Sequence, residues 1–311
     1  MSSGNSKEIV IVSTYQRSEM LWLCLEAIRF AEPEIAIHCF PDRGTKEHDI
    51  CQRFNATEHL TIRHNYHGNT FNLLEAYKWA LTRPWERLYI IEDDAIVHST
   101  FFSWCREALD REPEMFAACG WQYSPNAIIA DGPDVRIPWF LSVATCLPRA
   151  SVQAIAAHAT PYYYDSMQSY VDAAFPHSPN RGSLHYEQDG LTLRLMQSQS
   201  KRCIWPRRPR ATHCGFHGYH QGENKMEGTL EERVNILRLA IKNPLILQRL
   251  MSGGRIPELT QCRVCGKPLL KEIKGTAKVA AVCVQCFHEK YPTLPVTAAA
   301  QYYLPALDAV R

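Results

Sequence analysis

The amino-terminal third of the chain alternates short β-branched runs with amphipathic stretches, and few architectures satisfy that alternation. "EIVIVSTY" is rich in Ile and Val and bounded by polar residues, which predicts a buried strand. "SEMLWLCLEAIRFAEP" follows with helical spacing, capped by Ser18 and closed by Pro33. "EIAIHCF" is a second strand ending in the turn "PDRG", and "HLTIRHN" is a weaker third. "TFNLLEAYKWAL" sets Phe71, Leu74, Tyr77, Lys78 and Leu81 on helical spacing, with Pro84 just beyond. "RLYIIED" is the fourth strand. Such βαβ alternation predicts an α/β fold with a mostly parallel, Rossmann-like sheet flanked by helices, whose ligands gather beyond the carboxyl ends of the strands.

The fourth strand ends abnormally. Glu92, Asp93 and Asp94 stand in a row where Leu88 to Ile91 had been apolar, and Ala95, Ile96 and Val97 resume at once. Adjacent carboxylates repel, and burying one without a partner is costly. A divalent cation such as Mn²⁺ or Mg²⁺, bound together with a phosphate ligand, answers that need with oxygen donors. The alternative is a solvated turn before a helix capped by Ser99. Asp42 also falls at a strand end, so it and the triplet can face one crevice.

Beyond residue 115 the periodicity weakens. "FAACGW" and "WFLSVATCLP" read as further strands, and the stretch from Pro161 to Tyr186 reads as a long functional loop. "TLEERVNILRLAIKN" has Thr229 and Glu232 spaced as a capping box, and "PLILQRLMSGG" continues as a short helix. The expected organisation is a catalytic domain over 1–255, with halves near 8–110 and 111–225 and a helical extension over 226–255. A zinc ribbon over 256–292 and a tail over 293–311 complete the 311 residues.

The ribbon rests on Cys262-x2-Cys265 and Cys283-x2-Cys286. Each pair supplies two thiolates from one tight turn, and four thiolates close a tetrahedral Zn²⁺ site with no open position, so the zinc is structural. The other eight of the twelve cysteines are scattered singly, which suits a reducing compartment rather than a disulfide framework. The start lacks a secretory pattern and no segment is long and apolar enough to span a bilayer, so the expectation is a cytoplasmic protein with no membrane partner. A net charge of +2 creates no overall field toward nucleic acid.

Taken in order, "IVIVSTYQRSEMLWLCLEAI", "FPDRG", "HGNTFNLLEAYKWAL" and "LYIIEDDAIVHSTFFSW" resemble the nucleotide-sugar half of GT-A fold glycosyltransferases. The acidic triplet stands where their DxD-type motif stands. The chain is most similar to the inverting N-acetylglucosaminyltransferase I family, whose Glu-Asp-Asp motif is followed by a Phe-Phe pair, here Phe101 and Phe102. "YEQDGLTLRLMQSQSKRCIWPRRPRATHCGFHGYHQG" is similar to that family's second half, and the resemblance covers roughly residues 8 to 222.

That resemblance implies a UDP-sugar donor and a role for each matching residue. Asp94 would hold the metal, with His213 as a further ligand chosen from His213, His217 and His220. Asp93 and Glu92 would contact ribose and sugar, and Asp42 the uridine, with Thr14 and Arg17 nearby. Asn72 and Arg210 complete the implied donor set. Asp189 matches the carboxylate that deprotonates the attacking hydroxyl, and Glu187 is the fallback base. Asp189 can also be read as a helix N-cap, and each histidine as a packing residue. Gln188 and Gly190 depart from the family's acidic and tryptophan neighbours, so acceptor identity does not transfer.

The acceptor reading comes from the basic residues. Lys201, Arg202, Arg207, Arg208 and Arg210 can contact diphosphate, a nucleic-acid backbone or solvent alone. The ribbon adds Arg263, Lys267, Lys271, Lys274 and Lys278, and Tyr162, Tyr163, Tyr164 and Tyr170 offer rings on which a base can stack. The expected acceptor is a hydroxymethylated pyrimidine in DNA, a chemistry known from bacteriophage, reached by base flipping or on a single strand. The rivals are a glycan or lipid-linked saccharide acceptor, and a nucleic-acid-binding protein that has lost activity.

Overall fold

The computed structural model describes residues 7–15, 18–42, 47–59, 66, 68–121, 134–178, 186–207 and 209–213, together with three short strands nearer the carboxyl terminus. The chain divides into two compact units, Met1–Gly215 and Phe216–Arg311.

In the first unit the expected alternation is present. The elements are β1 (Glu8–Thr14), α1 (Ser18–Ala31), β2 (Ala36–Pro41), α2 (His48–Arg53), β3 (Thr57–Glu58), α3 (Asn69–Leu81) and β4 (Arg87–Glu92). There follow β5 (Ala95–Val97), α4 (Phe101–Arg111), β6 (Ala117–Cys119), β7 (Val135–Ile137), β8 (Ala144–Pro148) and α5 (Arg149–Ala156). Helices α6 (Pro161–Asp165), α7 (Met167–Ala174) and α8 (Gln188–Ser198) and strands β9 (Cys203–Trp205) and β10 (Ala211–His213) complete it.

One eight-stranded sheet runs β3-β2-β1-β4-β8-β6-β9-β7, and β10 pairs with β5 in a separate two-stranded ribbon. The sheet is mixed, with four of its seven neighbouring pairs parallel, β6 and β9 among them. β3, β2, β1 and β4 are parallel neighbours, whereas β8 runs antiparallel to both β4 and β6. Strand direction leaves no trace in a three- to five-residue apolar run, so the second half of the sheet was not readable from its pattern.

Strand parity builds both faces. Ile9 and Ile11 of β1 and Leu88 and Ile90 of β4 enter one core with Leu73 and Tyr77 of α3, Val152 and Ile155 of α5, and Leu191 and Leu195 of α8. The alternate residues Val10, Val12, Tyr89 and Ile91 are buried on the other face, where the Tyr89 ring meets Phe101 and Phe102 edge-on at 6.0 and 4.8 Å. The Phe-Phe pair is therefore core. Its helix, α4, begins after Thr100 rather than Ser99, without a side-chain cap. Ser18 is likewise the first helical residue of α1, and its hydroxyl is donated to Glu47 Oε1 at 3.4 Å.

At the amino ends of the strands Glu8 stands opposite Arg87 in register and also receives the Arg106 guanidinium at 2.6 Å, which leaves the carboxyl ends to the site.

The stretch from Pro161 to Tyr186 is not simply a loop. Thr160 caps α6 by accepting from the Tyr163 N–H at 3.3 Å, Pro161 fills its first turn, and α7 follows. Pro at the first helical position is favourable, because its missing N–H is one that a helix start leaves unbonded anyway. Helix α2 was not anticipated, and only Ala144–Pro148 of the expected "WFLSVATCLP" strand is extended. Most of "HLTIRHN" and the expected helices over 229–254 lie outside the described residues.

In the second unit β11 (Glu258–Gln261), β12 (Pro268–Lys271) and β13 (Tyr303–Leu304) form an antiparallel sheet, with Gln261 opposite Pro268. Cys262, Cys265, Cys283 and Cys286 lie outside the described residues, as do Arg17, Arg208, His217 and His220. Among the described residues no helix is long and apolar enough to cross a membrane.

Candidate active site

The fold gives each member of the acidic triplet its own partners. Glu92 ends β4, and Asp93 and Asp94 form the tight turn into β5. Glu92 keeps the parity of Leu88 and Ile90, so it faces the side on which α3 and α8 pack. Asp93, wholly buried, accepts the Tyr15 N–H at 3.3 Å, while its own N–H is donated to the Ser13 carbonyl at the end of β1. Asp94 is 5 % exposed and meets His213, whose Nε2 lies 3.2 Å from Asp94 Oδ1.

That contact follows from strand register. β10 pairs antiparallel with β5, Ala211 opposite Val97 and His213 opposite Ala95, so His213 is set beside the residue preceding Ala95. The Trp121 ring packs edge-on to the imidazole at 5.3 Å. One ligand atom from each of Glu92, Asp94 and His213 lies within 4.8 Å of the others. Oxygen and nitrogen ligands about 2.0–2.4 Å from a single ion are separated by about this much, so the three residues fit a divalent cation. Two carboxylates and one imidazole suit Mn²⁺ or Mg²⁺.

Asp189 is brought to the same place by α8. Glu187, exposed, is the N-cap position, and Asp189 sits in the first turn, so it does not cap the helix itself. Gln188 fixes this turn, accepting the Thr70 hydroxyl at 2.6 Å from the first turn of α3. Asp189 Oδ1 is buried and has no hydrogen-bond partner among the described residues. Burial pushes the Asp189 carboxyl up to about 6, against hydrogen bonds from the hydroxyl and backbone N–H of Ser142 and with repulsion from Glu187 adding to it. Burial and then the neighbouring Asp94 and Asp189 push Glu92 up to about 7, opposed by His213 and Ser142. A carboxyl raised toward neutrality beside other acidic groups is an arrangement suited to proton abstraction.

Further sequence-predicted residues stand at the carboxyl ends of β1 and β2. Asp42 donates its N–H to the Thr14 carbonyl at 2.8 Å and accepts the Gly68 N–H at 3.0 Å. Gly68 has φ +94°, a conformation side chains disfavour, and so it turns its N–H toward Asp42 at the start of α3. Thr14 Oγ1 is buried without a hydrogen-bond partner among the described residues. Asn72 is buried, and its amide donates to the Phe40 carbonyl, which ties α3 to the end of β2. Arg210 donates from Nη1 to the Thr100 hydroxyl at 2.8 Å, and its backbone N–H to the Gly120 carbonyl at 2.7 Å, so it braces the strand that carries His213.

No family model and no curated protein sequence matches the chain. Among solved structures it is similar to a mannosyltransferase, PcManGT from Pyrobaculum calidifontis in complex with GDP-Man and Mn²⁺. That similarity has TM-score 0.42 and 11 % identity over 80 % of this chain and 70 % of that one. It is also similar to the glycosyltransferase GlyE of Streptococcus pneumoniae TIGR4, with TM-score 0.41 and 8 % identity over 65 % of this chain and 45 % of that one. A third is the galactosyltransferase LgtC in complex with donor and acceptor sugar analogs, with TM-score 0.38 and 10 % identity over 64 % and 72 %. Likeness at this level does not decide an activity, and the residues of the crevice have to carry the chemistry.

The tyrosines expected to stack on a base are mostly engaged elsewhere. Tyr163 is wholly buried and donates to the Tyr186 carbonyl at 2.8 Å, Tyr164 donates to Glu75 at 3.0 Å, and the Tyr170 hydroxyl meets His158 Nδ1 at 2.9 Å. Tyr162 alone of the four is strongly exposed, at 55 %. Two neighbours of the site were not anticipated, Ser142 and Trp121. Each is distant in sequence from the residues it touches and sits in no recognisable motif.

Proposed function

We propose that the chain is a metal-dependent glycosyltransferase that moves a sugar from a UDP-sugar to a hydroxyl, with inversion. The convergence of Glu92, Asp94 and His213 within 4.8 Å, at the carboxyl end of β4, carries this reading. The likeness in motif order to nucleotide-sugar transferases agrees with it. Glu92, Asp94 and His213 would hold Mn²⁺ or Mg²⁺, which when bound supplies Lewis-acid neutralisation of the departing diphosphate. Asp93, Asp42 and Thr14 offer the polar atoms for ribose and base, and Arg17 belongs to the same donor set. Asp189 takes the proton from the acceptor hydroxyl as its oxygen bonds the anomeric carbon, and the bond from that carbon to the diphosphate breaks with its electron pair leaving on phosphate. A single displacement by the hydroxyl, with a base on the acceptor side taking its proton, inverts the anomeric centre.

The experiment is incubation with UDP-sugars and Mn²⁺, following UDP release and sugar transfer. Metal-stimulated release of UDP supports the reading. Failure with every sugar nucleotide, including GDP-linked ones, overturns it.

For the acceptor we propose a hydroxymethylated pyrimidine in DNA. Support comes from the exposed Arg202 and Arg207 beside β9 and from the four-cysteine ribbon, whose Zn²⁺ is inferred from the spacing of Cys262, Cys265, Cys283 and Cys286. Enzymatic digestion of treated hydroxymethylpyrimidine DNA and weighing of its nucleosides tests this. A hexose mass on one nucleoside supports it, and transfer to a saccharide instead decides for the glycan acceptor. A cytoplasmic setting is part of the proposal, supported by the seven described cysteines, all of which are buried free thiols.

A further inference from the structure

The segment between β7 and β8 carries a residue that none of the motifs contains. Ser142 is wholly buried in an irregular stretch, yet that stretch is held in place by its neighbours. The Val143 carbonyl accepts the Glu92 N–H at 3.0 Å, and the Leu141 carbonyl accepts the Thr145 hydroxyl at 2.6 Å. Ser142 is thereby fixed between two carboxylates that come from different halves of the chain. Its hydroxyl donates to Glu92 Oε1 at 2.8 Å, and its hydroxyl and backbone N–H both reach toward Asp189.

A serine hydroxyl has one proton to give. Glu92 Oε1 takes it here, so the backbone N–H is left as the donor that Asp189 keeps while its Oδ1 stays open. A wholly buried hydroxyl at this place has no solvent to serve, and without it the half-buried Glu92 would stand beside Asp94 and Asp189 with one donor fewer. We propose that Ser142 is the positioning residue of the site: its hydroxyl orients Glu92 toward the cation and its backbone N–H sets the distance from Glu92 to the base Asp189. This rests on the transferase reading and assigns a residue to it.

Groups that orient metal ligands through hydrogen bonds typically change metal affinity about 10–100-fold when removed. Ser142→Ala deletes the hydroxyl and keeps the backbone N–H. The test titrates Mn²⁺ into wild-type and Ser142→Ala protein, without donor, and counts free Mn²⁺ by electron paramagnetic resonance. Thermal melting in the absence of metal is run beside it, and UDP release is measured at saturating Mn²⁺. The expected result is Mn²⁺ affinity weakened by about 10–100-fold, with a melting temperature within a few degrees of wild type. At saturating Mn²⁺ the rate remains reduced, because Glu92 has lost the hydroxyl that orients it.

Ser142→Gly removes the hydroxyl together with Cβ, and agreement between the two assigns the effect to the hydroxyl. Unchanged Mn²⁺ affinity in both variants overturns the proposal, and so does a large loss of thermal stability with unchanged affinity, which makes Ser142 a packing residue only. A wild-type protein that binds Mn²⁺ but transfers no sugar sinks the transferase reading and leaves the Ser142–Glu92 effect measurable. Wild-type protein that binds no Mn²⁺ overturns both.

Discussion

His213 Nε2 lies 3.2 Å from Asp94 Oδ1 because β10 is registered on β5, with His213 opposite Ala95. A contact made by strand pairing is rigid, and it holds the imidazole beside the carboxylate before any cation arrives. Preorganised ligands of this kind cost little reorganisation on binding.

Removing either partner should therefore weaken the cation site without unfolding the chain. Asp94→Asn deletes a charge and almost no volume, and His213→Ala deletes a half-buried ring. Both should lower Mn²⁺ affinity by about tenfold or more and Mn²⁺-dependent UDP release with it. Trp121, packed on His213, supplies an optical check. Mn²⁺ should quench its fluorescence in the wild type, and the quenched component should disappear in Trp121→Phe. Wild-type Mn²⁺ binding in both ligand variants would remove the pair from the site.

Asp189→Asn should separate activity from stability. The Asp189 carboxyl is raised to about 6, from an ordinary 3.8. Between those values the folded chain keeps a proton that the unfolded chain releases, so this group's contribution to stability falls as pH rises through that window and stays lower above it. Asparagine cannot ionise, so at pH near 7 the variant should melt higher, by about 1–3 kcal/mol of stability, while transfer drops by several orders of magnitude. A variant that melts lower and still transfers would exclude Asp189 as the base. Normal transfer with loss in Glu187→Gln would move the role to Glu187.

The same carboxyl sets the pH profile. A base must be ionised to accept the proton, so kcat should rise about tenfold per unit below a pH near 6 and level off above it. A rate independent of pH between 5 and 7 would contradict that assignment.

Gly120 is a stability probe close to the site. A Cβ there would stand 2.6 Å from the Phe101 ring, and the Gly120 carbonyl accepts the Arg210 N–H next to β10. Overpacking of this kind costs about 1–3 kcal/mol. Gly120→Ala should lower the melting temperature and weaken Mn²⁺ binding together, since the strand bearing His213 shifts with it. An unchanged melting temperature would show that the Phe101 ring can give way.

For the ribbon, elemental analysis should find about one tightly held zinc per chain, lost on Cys262→Ser or Cys286→Ser. A folded chain without zinc would remove it.

What was legible in the sequence was local. The βαβ run from Glu8 to Glu92 could be read because each strand and helix declares its own period. Asp94 could be read because its acidic neighbours are adjacent in sequence. The site's other parts come from pairings that no period encodes. Ser142 meets Glu92 across 50 residues, and Thr70 meets Gln188 across 118. The tyrosine-rich stretch misled for a different reason. Pro161 reads as a loop residue until Thr160 is seen to cap it, and of the four rings that look available for stacking Tyr163 turns wholly inward once α6 and α7 form. The antiparallel turn of the sheet at β8 was likewise hidden, because Ala144–Pro148 would look the same running either way.

The pairing of β10 with β5 also fixes an order of events during synthesis. Glu92 and Asp94 leave the ribosome early, whereas His213, the third of the proposed ligands, arrives only when residues 211–213 have been made. A nascent chain has two carboxylates with no imidazole to join them, and closing so long a loop is slow. If the three residues hold a cation as proposed, its capture reports that translation has passed residue 213 and that β10 has paired with β5.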